Sequence, residues 1–261
     1  MKMKAATGIL AACTAAVAVN GVQGAGMTFE DQSYCLKTDC SHPLSLSGAN
    51  DEGVYLRFQT GWASKYEGEG IDLWESSLCT FVPEIQYKEW VGKIWYGVST
   101  EPGNASELKY RLDYVKELGN WTVMPWYEHS FVFPGNRGIP RPGLKTTYHF
   151  SDRWFAGTDL YWQYNNDTFR GYYAVFAGIH EDIAHCVRVD ASIRYGYNGG
   201  YVGPLVHHGS NAMDYNLSFT FRVTCRLTVE LFTNFSQALT VVKQSGLGND
   251  FYYGLNLKYT F

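Results

Sequence analysis

With 261 residues the chain has room for one all-β domain or two smaller ones, and length alone does not choose. Tyr 20, Phe 15, Trp 8 and Gly 27 stand beside only 18% charged residues, a mixture suited to aromatic-rich strands and tight turns rather than helices. A formal charge of -4 leaves no basic footprint for nucleic acid, and a mean hydropathy of -0.23 argues against a membrane helix without arguing against a barrel, whose strands expose apolar residues only at every second position.

Lys2 and Lys4 precede a small apolar run over 5–19, and Val22 and Gly24 form a small-residue cleavage site before Ala25. Residues 1–24 are therefore expected to be a signal peptide. The stretch Leu10, Ala11, Ala12, Cys13 also resembles a lipobox that would lipidate Cys13, although the apolar run ahead of it is short. Residues 25–52 show no sustained alternation and read as a periplasmic leader. Export permits disulfides, and by proximity Cys35 and Cys40 are the expected pair. His42 follows them with no second ligand pair nearby, so no metal is expected there.

From residue 53 onward about twelve segments alternate, each near the nine to eleven residues that a tilted strand needs to cross a bilayer. They span 53–63, 80–87, 89–98, 107–116, 120–132, 143–151, 153–164, 171–181, 184–196, 212–223, 226–237 and 250–261. The connections alternate too. Long polar stretches at 64–79, 99–106, 134–142, 198–211 and 238–249, with a middling one at 165–170, take turns with short ones at 88, 118–119, 152, 182–183 and 224–225. An even strand count with short turns on one side and long loops on the other predicts an all-β, membrane-spanning, antiparallel up-and-down barrel over 53–261, with both termini periplasmic. Pro83 and Pro125 fall inside predicted strands, where each removes a ladder hydrogen bond.

The two faces separate cleanly where alternation is regular. Val187, Val189, Ala191, Ile193 and Tyr195 oppose Arg188, Asp190, Ser192 and Arg194; Tyr215, Leu217, Phe219 and Phe221 oppose Asp214, Asn216, Ser218 and Arg222. About eight strands already give an interior that side chains fill, so twelve closed around Val, Leu and Ala would leave a void. Polar side chains and water inside solve that, and Trp62, Trp90, Tyr96, Trp121, Trp162, Tyr164 and Tyr259 then suit interfacial girdles. A two-sheet sandwich is the competing arrangement. The fifth segment is apolar on both faces, which leaves its register open.

No catalytic set emerges. Outer-membrane lipases hold His and Ser two apart on a strand, whereas His129 and Ser130 are adjacent and face opposite sides. His180, Glu181 and His185 have five-residue rather than four-residue His spacing, and His207 and His208 lie in a loop with no further ligand in reach. What remains is the inner-face charge set, and the expected pore lining is Arg57, Lys93, Arg111, Asp159, Arg188, Asp190, Arg194, Asp214, Arg222, Glu230 and Lys258. These charges either pair across neighbouring strands or line a water path whose basic excess favours anions.

The last strand alternates Phe251, Tyr253, Leu255, Leu257, Tyr259 and Phe261 with polar residues, and resembles the terminal strand of bacterial outer-membrane barrels. Tyr259 and Phe261 are then the expected signal to the barrel-assembly machinery. Ser64-Lys65-Tyr66, Gly68, Gly70 and Trp95-Tyr96-Gly97 place residues 61–97 where the chain resembles the TorF-like porins, although Glu67-Gly68 stands where that family has Arg-Gly. The resemblance implies a porin without catalytic residues. The expected function is an outer-membrane channel for small hydrophilic solutes, needing no cofactor and surrounded by outer-membrane lipids. A structural or adhesin-type barrel with a plugged lumen is the alternative, and an outer-membrane hydrolase a third.

Overall fold

Alternation gives each strand two chemically different faces, and closing such strands edge to edge sorts one face inside and the other outside. The computed structural model describes residues 53–68, 71–74, 76–101, 106–133, 137–165, 168–184, 186–200 and 208–261. The expected signal peptide and leader, with Cys13, Cys35, Cys40 and His42, lie outside the described residues, as do His185 and His207. The strands are β1 (Val54–Ala63), β2 (Tyr66–Gly68), β3 (Ile71–Trp74), β4 (Leu78–Tyr87), β5 (Trp90–Ser99), β6 (Ser106–Tyr114), β7 (Lys116–Leu118), β8 (Trp121–Phe133), β9 (Arg137–His149), β10 (Trp154–Asn165), β11 (Thr168–Ala184), β12 (Val187–Gly199), β13 (His208–Arg222), β14 (Leu227–Ala238) and β15 (Asp250–Thr260). One short helix, α1 (Thr240–Gln244), lies between β14 and β15.

Neighbouring strands pair antiparallel, and β1 closes the ring on β15 from Arg57↔Thr260 to Ala63↔Gly254. Because β6 and β7 pair with the same strand, β8, on either side of Val115, they make one interrupted stave. The barrel therefore has twelve staves, as the alternation predicts. β2 and β3 form a separate hairpin in the β1–β4 connection.

Two prolines mark the gaps in the wall. The β4–β5 ladder stops at Phe81↔Tyr96 and resumes at Glu84↔Lys93, skipping Pro83. The β6–β8 ladder ends at Asp113↔Trp126 and β7 resumes it at Lys116↔Val123, skipping the stretch that holds Pro125. Neither proline has an N–H to give. β9 starts at Arg137 rather than near 143, so the connection at this hairpin is shorter than expected. Pro140 and Pro142 sit opposite His129 and Tyr127 on β8, while the other edge of β9 carries no ladder before Gly143↔Tyr161. That open edge tolerates them.

The outward face carries two aromatic bands with aliphatic residues between. Near the short turns Trp90 lies 4.8 Å from Tyr114, Trp121 4.9 Å from Tyr148 and Tyr259 5.0 Å from Phe261, centroid to centroid. Toward the long loops Trp62 meets Tyr253 at 5.8 Å and Trp162 meets Tyr173 at 6.4 Å. Ile94, Val175, Ile193, Leu217 and Leu231 stand exposed between the bands. This is the pattern of a lipid-facing belt with interfacial girdles. Leu217→Arg should accordingly cost about 2–4 kcal/mol in urea titrations of the protein folded into vesicles. Ser218→Arg, one position along and facing inward beside Asp190, should leave the midpoint near wild type. Equal losses at both positions would mean the faces are assigned the wrong way round.

Candidate functional site

On the concave side of a barrel, side chains from strands that are not neighbours converge, and on the convex side they diverge. Arg194 on β12 reaches Asp159 on β10 at 3.3 Å, across β11, and Lys145 on β9 lies 5.1 Å over the Phe176 ring on β11. The charged face is therefore the inner one.

That face is organised as a ladder of alternating sign. Arg57 on β1 holds Glu84 on β4 at 2.9 Å; Glu84 faces Lys93 on β5 at 3.5 Å; Lys93 holds Asp113 on β6 at 3.2 Å. Asp113 takes Arg111 at 2.7 Å, Arg111 approaches Glu128 on β8 at 3.8 Å, and Glu128 holds Arg141 on β9 at 3.0 Å. Six consecutive staves, half the ring, are joined this way. Around the other half Glu230 binds Lys258 at 2.9 Å and accepts from Asn256 at 2.9 Å, and Asp214 accepts from Ser236 at 2.6 Å. Asp190 lies opposite His180 and Ser218, and Asp214 opposite Arg194. Arg188 grips Asp182 through two donors at 2.8 and 3.1 Å beside the short turns, and Arg222 lines a cavity there with Arg57, Arg226 and Lys258. All eleven residues named from the sequence thus share the inward parity.

Sequence reading passed over Glu84, Glu107, Glu128 and Arg141. The tight turn at Lys88, held at a φ of 53°, sets Tyr87 against Trp90 and with it Glu84 against Lys93. Counting outward from that turn could have found the pair. With these acids included, the basic excess over the middle of the lumen disappears. It survives near the short turns, where the cavity is lined by Arg57, Arg188, Arg222, Arg226 and Lys258 against Asp182.

Among the described residues two connections on the long-loop side turn inward. Val241 and Val242 of α1 are fully buried in a cluster with Trp126, Tyr161, Tyr172, Ala174 and Ala238. β8, which carries Trp126, and β14, which carries Ala238, are six staves apart, so this cluster bridges opposite walls of the lumen. Its rings run in series, Trp126 tilted against Tyr161 at 5.4 Å and Tyr161 stacked on Tyr172 at 5.3 Å, with Arg111 4.2 Å over Trp126 and Arg194 5.6 Å over Tyr172. Tyr66 stacks on Trp95 at 5.6 Å, donates to Glu107 and accepts from Lys109 at 2.8 Å.

The hydrolase candidates are separated. His129 faces outward against Phe131 at 4.7 Å, while Ser130 is buried inside and donates to Glu107 at 2.6 Å. Cys186 and Cys225 are both disulfide-bonded.

The arrangement has solved counterparts. A KdgM porin matches with a TM-score of 0.56 and 8% identity, over 78% of this chain and 99% of that one. The fold is that of the porin barrels. A KdgM porin in complex with disordered oligogalacturonate gives 0.54 and 8%, over 79% and 99%, and the NanC porin 0.55 and 10%, over 78% and 98%. No family model matches the chain, and no curated protein matches it in sequence. The TorF-like resemblance therefore rests on its motifs in 61–97 alone.

Asp113 tests the ladder, because its side chain is 2% exposed between two cations. Asp113→Ala should lower stability by about 1–3 kcal/mol, since it removes two charged contacts and leaves Lys93 and Arg111 only their longer ones with Glu84 and Glu128. Arg188→Ala, whose pair with Asp182 is exposed, should cost under about 1 kcal/mol in the same guanidinium unfolding series.

Proposed function

We propose that the chain is a porin-like channel of the bacterial outer membrane, with both termini periplasmic, through which small hydrophilic solutes diffuse. The carrying observation is the ion ladder on the concave face: ionised groups at membrane depth are sustainable only against each other and water. In this reading Arg57, Lys93, Arg111, Asp159, Arg188, Asp190, Arg194, Asp214, Arg222, Glu230 and Lys258 line the path. The basic cluster near the short turns favours anions. Tyr259 and Phe261 end the closing strand and act as the signal to the assembly machinery, and the TorF-like motifs support the same class.

A second reading, a structural or adhesin-type barrel with its lumen plugged, is favoured by one observation: the α1 cluster spans the lumen from wall to wall. Planar-bilayer recording separates the two. The channel reading expects discrete conductance steps with anions preferred, and Arg222→Glu with Arg226→Glu should move the reversal potential toward cation preference. Val241→Asp with Val242→Asp, which loosens α1 from the rings beneath it, should raise the step size at least twofold. Folded protein that stays silent in both forms leaves the plugged reading.

A further inference from the structure

Two cavities in the lumen wall share the staves β12 to β15. The one beside the short turns, about 280 Å³, is the basic one described above, with Arg188, Arg222 and Arg226 on its lining. The other, about 310 Å³, is lined by Asp190 and Glu230, the rings of Phe155 and Phe232, and the short side chains of Ser192 and Ser218. On every shared stave the next inward position leads from the first cavity to the second: Arg188 to Asp190, Thr220 to Ser218, Thr228 to Glu230 and Lys258 to Asn256. The wall thus turns from basic to acidic within one step of the pleat.

Each cavity holds a charge that the chain does not neutralise. Glu230 is taken by Lys258 and Asn256, whereas the Asp190 side chain has neither a hydrogen bond nor an ion pair among the described residues. Its neighbour Arg188 is turned to Asp182, and Arg226 makes no ion pair among the described residues. An ionised group in such a wall is sustained by water or by a solute of opposite charge. Beside Asp190, Phe155 lies across Gly178 and Phe232 across Gly254, seats that a Cβ on either glycine would fill. Rings beside a carboxylate favour an ammonium group, which is drawn to both.

The spacing of the charges names the solute. Arg188 stands two residues from Asp190 along β12 and Arg222 four from Ser218 along β13, which puts cation and anion about 7–14 Å apart along the wall. An extended peptide covers about 3.3–3.6 Å per residue, so roughly two to four residues span that gap from amino to carboxyl end. The hydroxyls of Thr220, Thr228 and Ser218 lie between, where they can meet its amides. We infer that the lumen wall binds short linear peptides with both ends free, the ammonium on Asp190 beside the two rings and the carboxylate on Arg222 and Arg226. The inference deepens the channel reading, on which it rests for the peptide's way in, by naming a solute.

Triglycine, N-acetyltriglycine and triglycine amide test it, titrated calorimetrically into the full chain folded in detergent micelles. Triglycine should bind, and each capped form about tenfold more weakly, because capping removes one charged contact. Asp190→Asn should weaken triglycine about tenfold and leave N-acetyltriglycine unchanged. Arg222→Gln with Arg226→Gln should weaken triglycine and leave the amide unchanged. No binding of triglycine, or equal binding of all three peptides, overturns the inference, and this comparison on the unsubstituted protein decides it even where a variant fails to fold. A folded Asp190→Asn that loses both triglycine and N-acetyltriglycine to the same degree overturns it too, since Asp190 then acts on the wall and not on the ammonium. Planar-bilayer recording keeps the two readings apart. Protein that binds triglycine selectively but never conducts overturns the channel and spares the site, while conducting protein that treats the three peptides alike overturns the site and spares the channel.

Discussion

Everything in this molecule follows from the absence of water around the outer wall. A backbone N–H or C=O left unpaired in hydrocarbon costs several kcal/mol, so a sheet that crosses a membrane must have no free edge. Here the seam is β1 on β15, where Phe261 N–H donates to the Leu56 carbonyl at 3.1 Å, while on the other edge of β15 Thr260 N–H donates to the Arg226 carbonyl at 2.8 Å. Closure locks the parity of every stave at once. A strand slipped by one residue would present its charges to lipid and its Val and Leu to the lumen.

Locked parity in turn decides what the interior must be. Acidic and basic side chains that cannot face outward meet in the concave space, and every ion pair in the Arg57-to-Arg141 ladder except Arg111–Asp113, both on β6, also ties two strands together. The polar interior thus reinforces the sheet. The interior is not uniformly polar, however: Trp126, Tyr161 and Tyr172 point inward and are covered by the two valines of α1.

Those inward rings explain where the sequence was legible and where it was not. The twelve staves were readable because lipid imposes a strict alternation on most of them, and the tight turns at Lys88 and Gly119 punctuate them. β8 was ambiguous because Met124 and Trp126 break the rule that apolar residues face out, and they break it to meet an element that belongs to a loop. α1 itself is too short to show a helical period, and the β2–β3 hairpin hides in a polar stretch. Glu128 escaped because β8 mixes Met124 and Trp126 with charge on its inner face. Glu107 was legible: it shares the clean inward parity of Lys109, Arg111 and Asp113 on β6.

The proline gaps have a mechanical consequence. Pro83 breaks the β4–β5 ladder on one side of the β5–β6 pair and the Val115 interruption breaks the ladder to β8 on the other, so this panel is bounded by two lines along which the wall lacks hydrogen bonds. A closed sheet bends at least cost along such lines.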